Sequence, residues 1–422
     1  MFVVGWRGVS VVVSSVGVVK RVVRVKLLPE GSQAHLLQQT LRACNDAANE
    51  VSRVARERGI TSQRDLRSVT YGTTKVLVPG AQAAQQVIRK VAGAYAAHRA
   101  NLRAGNYGRR GSDRRARAEA RVIGFRPDAA QPYDDRILSW RINPDHQGRG
   151  TVSIWVADTG AGAPGRILVP FVGRPEHVDA ILRHRKGETD LVCRDGVFYL
   201  IPTLDHPTPE AVLPSQTSER DWIGVDLGIV NIAYTSDGTN WSGGAVTHVR
   251  KKNQYIRTTA QTRGTRSAKR LLKKRRRKEA RFVTDVNHRV SKKIVAEAQR
   301  TGRGIALEDL TGIRARARHR KPQRATFHSW AFAQLGAFIT YKAQAAGVPV
   351  VHVNPAYTSQ TCWHCKHVDD KARNGEEYTC TNPDCGLVGH ADHNGARNIA
   401  HLAPAQWARK RQADSHAAND AA

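Results

Sequence analysis

The stretch WIGVDLGIVNIAYTSDG, from Trp222 to Gly238, decides the fold of the second half of this 422-residue chain. Two apolar runs flank Gly228, and an Asp-Gly turn signal follows them, so the stretch predicts two strands that lie side by side. Asp226 interrupts the first run. Because an ionised carboxylate in an apolar strand is costly unless it is paired or bound to a metal, Asp226 is a candidate site residue. A charge on an edge strand is the alternative.

Two further acids lie at the ends of predicted elements in the same half of the chain. Glu308 follows the apolar part of GIALEDL, and Asp392 lies in the first turn of a predicted helix that continues through Ile399. Taken singly, Glu308 is explained as an ordinary charge at the end of a strand, and Asp392 is explained as the N-cap of a helix. Taken together in a basic chain, the three acids predict a phosphodiester site with two hard cations about 3.5–4 Å apart. Carboxylate oxygens favour Mg²⁺ over zinc there.

Four of the six cysteines fall within 24 residues and have metal-ligand spacing. They are Cys362, Cys365, Cys380 and Cys385. Two residues separate the first pair and four separate the second, so two short hairpins supply four thiolates to one tetrahedral Zn²⁺. No coordination position is left for water, and the predicted zinc is therefore structural. The spacing argues against a disulfide framework and favours a reducing compartment. Nearby histidines are predicted to be solvated or to contact nucleic acid.

The charge of the chain is strongly unbalanced, since 67 Lys and Arg face 36 Asp and Glu and leave a net charge of +31. A large anionic partner is the natural interpretation, and a general solubility bias is the alternative. The densest run, residues 263–281, holds eleven bases and one Glu. A solvated helix face is the usual meaning of such a run, but nucleic-acid phosphates would neutralise this one. The predicted nucleic-acid contacts are Arg263, Arg266, Lys269, Arg270, Lys273, Lys274, Arg275, Arg276, Arg277, Arg314, Arg316 and Arg318.

Five motifs together resemble the TnpB family of transposon-encoded nucleases, and equally the compact type V CRISPR effectors. In chain order they are GVDLGIVNIAYTSDG, NHRVSKKIVAEA, ALEDLTGIR, PAYTSQTCWHC and HADHNGARNIA. The resemblance covers roughly residues 222–400, and the first half matches only in layout. It implies an α/β fold, an RNase H-like RuvC nuclease with an inserted zinc ribbon, preceded by an N-terminal β-barrel that carries a helical insertion. Gly395 stands where alanine is usual, and the second cysteine knuckle is longer than usual.

The resemblance also implies roles for the candidate residues. Asp226, Glu308 and Asp392 occupy the catalytic, Mg²⁺-binding positions, and the four cysteines occupy the zinc positions. The ribbon would lie beside the cleft and help to admit the strand to be cut. Arg397 suits a contact with the scissile phosphate or, equally, a salt bridge on the helix surface. The implied partners are a guide RNA and target double-stranded DNA, paired in a basic channel between the two halves.

The function that follows is RNA-guided cleavage of DNA next to a short motif, at a single two-metal site. Three alternatives stay open: a guided protein that blocks DNA with little or no cleavage, an unguided structure-selective nuclease, and a transposase that joins DNA ends. The N-terminal apolar stretch is broken by Arg7 and lacks the basic segment of a signal peptide. We therefore expect a cytoplasmic protein with neither a membrane nor a small-molecule partner.

These interpretations divide the chain into consecutive segments. They are a disordered extension at 1–17, the first strand of the barrel (wedge) domain at 18–30, a helical recognition lobe at 31–125, the rest of the barrel at 126–214, the nuclease domain at 215–360 and 389–403, the zinc ribbon at 361–388 and a disordered tail at 404–422.

Overall fold

The chain forms two compact units that meet between His206 and Pro207, close to the boundary predicted after residue 214. The computed structural model describes residues 18–207, 218–310 and 332–419. The predictions for residues 1–17 and for Arg314, Arg316 and Arg318 fall outside these ranges.

A nearly closed β-barrel forms the body of the N-terminal unit. Its strands are β1 (Val18–Val22), β2 (Val25–Leu27), β3 (Gln131–Tyr133), β4 (Leu138–Arg141), β5 (Arg149–Val156), β6 (Gly165–Val172), β7 (Arg185–Arg194) and β8 (Val197–Pro207). The sheet order is β3-β7-β8-β2-β6-β5-β4, and β1 also pairs with β8. The two end strands, β3 and β4, follow each other in the chain, and Tyr133 of β3 donates a hydrogen bond from its hydroxyl to the carbonyl of Trp155 in β5 at 3.2 Å.

Helices fill the long insertion between β2 and β3. They are α1 (Gly31–Glu57), α2 (Gln63–Leu77), α3 (Ala81–Arg103) and α4 (Asp113–Ala120), and a further helix, α5 (Pro175–His184), follows β6. Leu37, Leu41 and Val51 of α1 recur at helical spacing and pack with strand residues such as Ile154 and Phe171 in one shared core. The sequence analysis expected a helical lobe at 31–125 and named no individual helix within it.

A mixed five-stranded sheet is the centre of the C-terminal unit. Its strands are β9 (Trp222–Asp226), β10 (Asn231–Thr235), β11 (Asn240–Ser242), β12 (Gly304–Glu308) and β13 (Val350–Val353). The order is β11-β10-β9-β12-β13. Strands β9, β12 and β13 run parallel to one another. Strand β10 pairs antiparallel with both of its neighbours, β9 and β11. Val225 pairs with Leu307, so the carboxyl ends of β9 and β12 lie side by side.

Helices cover both faces of this sheet. They are α6 (Gly244–Arg263), α7 (Arg266–Thr301), α8 (Phe332–Ala345) and α9 (Ala391–Asn419). Ile223 and Val225 pack with apolar residues of α7 and α8, whereas Trp222 packs with α9, as the alternation of side chains along a strand requires. Helix α9 lies so close to β9 that a Cβ at Gly224 would clash with the carbonyl of Ala396.

Two sequence predictions about helices need correction. The tail predicted to be disordered at 404–422 is helical through Asn419, because Ala403 is buried and Trp407 packs edge-on against Trp222 at 5.7 Å between ring centroids. The basic run at 263–281 is split between two helices, because Gly264 adopts a left-handed φ of 60°. None of the helices in the described ranges has the length and apolar character needed to cross a bilayer.

Candidate active site and metal centre

Three acids predicted from the sequence converge at the carboxyl edge of the five-stranded sheet. Asp226 ends β9 and Glu308 ends the adjacent parallel strand β12. Asp392 lies in the first turn of α9, where Asn231 of β10 donates a hydrogen bond to its Oδ2 at 2.8 Å. A Cβ at Gly395, one turn further along α9, would lie 3.2 Å from Oδ2 of Asp226. The sheet and α9 therefore bring all three side chains into one site.

The carboxylates of this site repel one another. Burial, followed by the charges of Glu308 and Asp392, holds the pKa of Asp226 well above its usual range. Burial also raises the pKa of Glu308, although a hydrogen bond of 2.6 Å from the hydroxyl of Thr358 opposes that rise. Such a cluster can be fully ionised only when a cation neutralises it. Hard oxygen ligands with unbalanced negative charge fit Mg²⁺.

The spacing of the acids differs from that of the cysteines. Within the part of the chain that the structure describes, only the four cysteines bring one ligand atom each to within 4.8 Å of all the others. The three carboxylates are therefore more widely spread than the ligands of a single tetrahedral ion.

Arg373 is a member of this site that the sequence analysis missed. Its Nη2 donates a hydrogen bond to Oδ1 of Asp392 at 2.9 Å, and its charge favours the ionised forms of Asp226 and Glu308 and so opposes the rise of their pKa values. Asp392 thus has one oxygen on Arg373 and the other on Asn231, which is not the backbone contact of an N-cap. One arginine among many bases carries no spacing signal, so sequence alone could not single it out.

Two glycines shape the approach to the acids. A Cβ at Gly228 would lie 2.7 Å from the carbonyl oxygen of Asn231, which is closer than real contacts allow, so the turn after β9 requires glycine. Alanine at position 395 would press on the Asp226 carboxylate at 3.2 Å. The unusual glycine there gives that carboxylate room.

The four cysteines form a compact cluster beside the acids. The Sγ atoms of Cys362 and Cys385 are 3.8 Å apart, and those of Cys365 and Cys380 are 3.6 Å apart. A Zn–S bond of about 2.3 Å in a tetrahedron gives an S···S separation of about 3.8 Å. A hydrogen bond from the backbone N–H of His367 lowers the pKa of Cys365 to about 6, which favours the thiolate that binds metal. The cluster fits zinc.

A small sheet and the start of α9 hold this cysteine module in place. Its strands are β14 (Arg373–Asn374), β15 (Glu377–Thr379) and β16 (Val388–His390). Asn394 of α9 accepts a hydrogen bond from the N–H of Trp363 at 2.9 Å and donates one to the carbonyl of Thr361 at 2.8 Å. The module and the carboxylate site are therefore joined through one helix.

The predicted nucleic-acid contacts at 263–277 lie at the end of α6 and along the first half of α7. All nine of them except the half-buried Arg275 are exposed. The one acid of the run, Glu279, instead faces α6, where Asn253 donates a hydrogen bond to it at 2.8 Å. The guanidinium of Arg397 lies over the Trp363 ring at 3.9 Å, and its contact with the scissile phosphate stays a prediction.

Fold and site define a class of proteins in which an acidic cluster at the edge of a mixed sheet adjoins a four-cysteine module. The family model "Cas12f1-like, TNB domain" matches residues 332–399. "CRISPR-associated endodeoxyribonuclease Cas12f1" of Sulfoacidibacillus thermotolerans is 32% identical over 196 residues, 42% of this chain and 44% of the relative. "TnpB-like protein MJ0751" of Methanocaldococcus jannaschii is 37% identical over 121 residues, 28% of this chain and 42% of the relative.

The fold has solved counterparts as well. The "Cas12f1-sgRNA-target DNA complex" has a chain with a TM-score of 0.57 at 14% identity, covering 87% of this chain and 81% of that one. A chain of "CasPhi-2 (Cas12j) bound to crRNA" has a TM-score of 0.51 at 11% identity, covering 91% and 98%. The resemblance predicted from the motifs is confirmed: this chain is similar to TnpB-like proteins and to compact type V effectors. It spans less than half the length of the curated relatives named above.

Proposed function

We propose that this protein is an RNA-guided DNA endonuclease with an RNase H-like, RuvC-type nuclease unit. A bound guide RNA pairs with one strand of target DNA next to a short motif, and phosphodiesters are hydrolysed at a single site. The observation that carries the proposal is the convergence of Asp226, Glu308 and Asp392 on one buried edge of the sheet. The endodeoxyribonuclease activity named for the Cas12f relatives supports it.

The three acids would hold two Mg²⁺ ions, which supply an activated water and neutralise the leaving oxygen. The residues around them set the geometry. Thr358 fixes one oxygen of Glu308 by hydrogen bonding, and Asn231 with Arg373 fixes the two oxygens of Asp392. The charges of Glu308 and Asp392 both raise the pKa of Asp226, and the electrostatic cost of ionising Asp226 without a cation would become affinity for one.

The cysteine module would be a structural zinc ribbon that guides a DNA strand to the acids. Two observations support this role. Arg373 extends from the module to Asp392, and Asn394 ties the module to α9. A phosphate that approached the acids would therefore meet a guanidinium from the ribbon. Charge-assisted hydrogen bonds of this kind are among the strongest in proteins.

The exposed bases of α6 and α7 would contact the phosphates of the guide–target duplex. Eight of the predicted residues from 263 to 277 are exposed, and binding of this kind depends on charge and shape rather than on base sequence. Arg314, Arg316 and Arg318 would contact nucleic acid as well. The proposal places the protein in the cytoplasm, where thiols stay reduced and bind zinc.

The deciding experiment begins with the RNA that the purified full chain retains. Sequencing should return one defined RNA, and a matched version of it should direct Mg²⁺-dependent cleavage of a plasmid. Asp226→Ala should bind the same plasmid without cutting it. Guide-dependent binding of the wild type without cleavage would support the blocking protein instead. Cleavage that does not depend on the guide would support an unguided nuclease. DNA products with joined ends would support a transposase.

A further inference from the structure

A small cavity with aromatic walls lies where the cysteine module meets the start of α9. Its volume is about 140 Å³, and the rings of Trp363, Tyr378, His390 and His393 line it. We call it the aromatic pocket. Small-molecule sites usually have volumes of roughly 300–1,000 Å³, so this cavity suits one ring system rather than a whole metabolite.

The aromatic pocket is next to the acids. His390 and His393 flank Asp392 in the chain, and the N–H of Asp392 donates a hydrogen bond to Nδ1 of His390 at 3.1 Å. The carboxylate of the same Asp392 belongs to the candidate active site. An occupant of the pocket would therefore lie beside the residue whose carboxylate belongs to the candidate active site.

The walls of the pocket are held rigidly. His393 donates a hydrogen bond from Nε2 to the carbonyl of Ser236 at 3.1 Å. The ring of Tyr234 packs against the His390 ring at 4.8 Å and against the His393 ring at 5.6 Å. Walls that are already fixed lose little freedom when a ligand binds, which favours affinity.

The chemistry of the pocket suits a nucleobase. Flat rings offer stacking surfaces, and base–aromatic stacking tolerates any base. Nδ1 of His390 accepts the backbone hydrogen bond, so in the neutral ring the proton is on Nε2, which is a donor for a base edge. The guanidinium of Arg397, 3.9 Å above the Trp363 ring, places positive charge beside this wall, where a sugar–phosphate backbone would run.

We propose that the aromatic pocket binds one nucleobase of the DNA strand whose phosphate reaches the acids. The inference rests on the proposed function in that it takes DNA as the substrate. Holding the base would fix the register of the strand, so that one phosphate rather than its neighbours faces Asp226, Glu308 and Asp392.

The test is photocrosslinking without added Mg²⁺, which needs no cleavage and, unlike a chelator, leaves zinc in the cysteine ribbon. The probe is a pentadeoxynucleotide of 5-iodouracil, mixed with the full chain and irradiated, and mass spectrometry maps the crosslinked residues. We expect crosslinks at Trp363, Tyr378, His390 or His393. Pentathymidylate should compete for them about 5- to 100-fold better than a pentamer of abasic sugar-phosphate, which is the range that stacking one base supplies.

A filling variant tests the pocket without removing any wall. A Cβ at Gly389, which lines the cavity, meets no atom within 4 Å, so Gly389→Phe should fill the pocket and abolish these crosslinks. Thr379→Phe places the same ring at an exposed position of the neighbouring strand β15 and should leave them intact. Circular dichroism should show both variants folded.

The outcomes separate the pocket from the proposed function. Crosslinks that map only to other residues, that persist in Gly389→Phe, or that the abasic pentamer competes equally well would overturn the pocket, even if guided cleavage were observed. Crosslinks with the expected pattern in a protein that never cleaves DNA would support the pocket and leave the nuclease proposal refuted.

Discussion

The two ligand clusters of the C-terminal unit differ in how the chain assembles them. The four thiols come from 24 consecutive residues, Cys362 to Cys385, whereas the three carboxylates come from positions as far apart as Asp226 and Asp392. Cys362 and Cys365 lie in a turn closed by the bridge between Thr361 and Val368, whereas Cys380 and Cys385 lie in the loop between β15 and β16. The acids lie at the ends of a five-stranded sheet and a long helix.

The difference decides what each cluster needs in order to fold. A module with so few buried apolar residues as the cysteine ribbon depends on its metal for folding free energy. The sheet under the acids has its own core between α7, α8 and β9, so it positions the acids whether or not a cation is present. The fold therefore holds Asp226 and Glu308 close together although their charges repel each other. A bound cation would relieve this repulsion.

The largest expected effect is on catalysis. Asp226→Ala should lower guided cleavage by about 10³-fold or more, because an ion contributes several kcal/mol of transition-state stabilisation. Binding to the same DNA, measured by gel shift, should change less than about twofold. Asp237→Ala, which removes a surface partner of Arg303, is the matched control and should cleave normally. Full cleavage by Asp226→Ala would refute the proposed site.

The next effect is on the ribbon. Cys380→Ser should remove zinc, measured by plasma mass spectrometry, and expose residues 361–390 to limited proteolysis, while the N-terminal unit stays protected. Cys193→Ser, at an isolated cysteine of the barrel, should keep one zinc per chain. A Cys380→Ser protein with full zinc content and an intact ribbon would contradict the four-thiolate site.

The same contrast explains how much could be predicted from the sequence. The cysteine spacing is local, so the zinc ribbon could be predicted from the sequence without knowledge of the fold. The acids were grouped because all three lie at the ends of predicted elements in a basic chain, and the resemblance supported that grouping. The pairing of β9 with β12 brings the strand ends of Asp226 and Glu308 together. Arg373 and the aromatic pocket depend on how the ribbon packs on α9, and no periodicity or spacing encodes that. The helical tail was missed because tertiary contacts override local pattern.

Arg373 connects the two clusters, and its removal should have an intermediate effect. Arg373→Ala should lower the cleavage rate at saturating Mg²⁺ by about 10- to 100-fold, the loss of one charged hydrogen bond. Because its charge competes with a cation for the acids, the Mg²⁺ concentration at half-maximal rate should fall. Arg373→Lys should recover part of the rate. An unchanged rate and unchanged Mg²⁺ dependence would show that the contact with Asp392 is incidental.

Repulsion among the acids should appear as a stability effect without divalent cations. Burial raises the pKa of Asp226 in the folded protein, so the folded state holds its proton more tightly than the unfolded state, and stability falls as pH rises above about 4. Asp226→Asn has no ionisable carboxyl group at this position. Without added Mg²⁺ it should be more stable than wild type by on the order of 1–2 kcal/mol at pH 7 and nearly equal at pH 4.

Urea denaturation at the two pH values measures this difference, and Asp237→Asn is the control at an exposed acid. Added Mg²⁺ should stabilise the wild type and leave Asp226→Asn largely unaffected. A variant that is less stable than wild type at pH 7 without added Mg²⁺ would mean that the Asp226 carboxylate is a favourable structural partner, and the idea of a cluster held in repulsion would fail.

The smallest effect is expected when a single basic residue of α7 is replaced, because these residues belong to neither ligand cluster. Lys273→Ala should weaken binding to guide RNA by less than about 1 kcal/mol and lower the slope of log K against log salt by about one. The loss should be the same for unrelated RNA sequences, because an exposed lysine contacts phosphate rather than base edges. Lys75→Ala, on the exposed side of α2, is the control outside the run. A loss that depended on sequence would mean that α7 contacts bases.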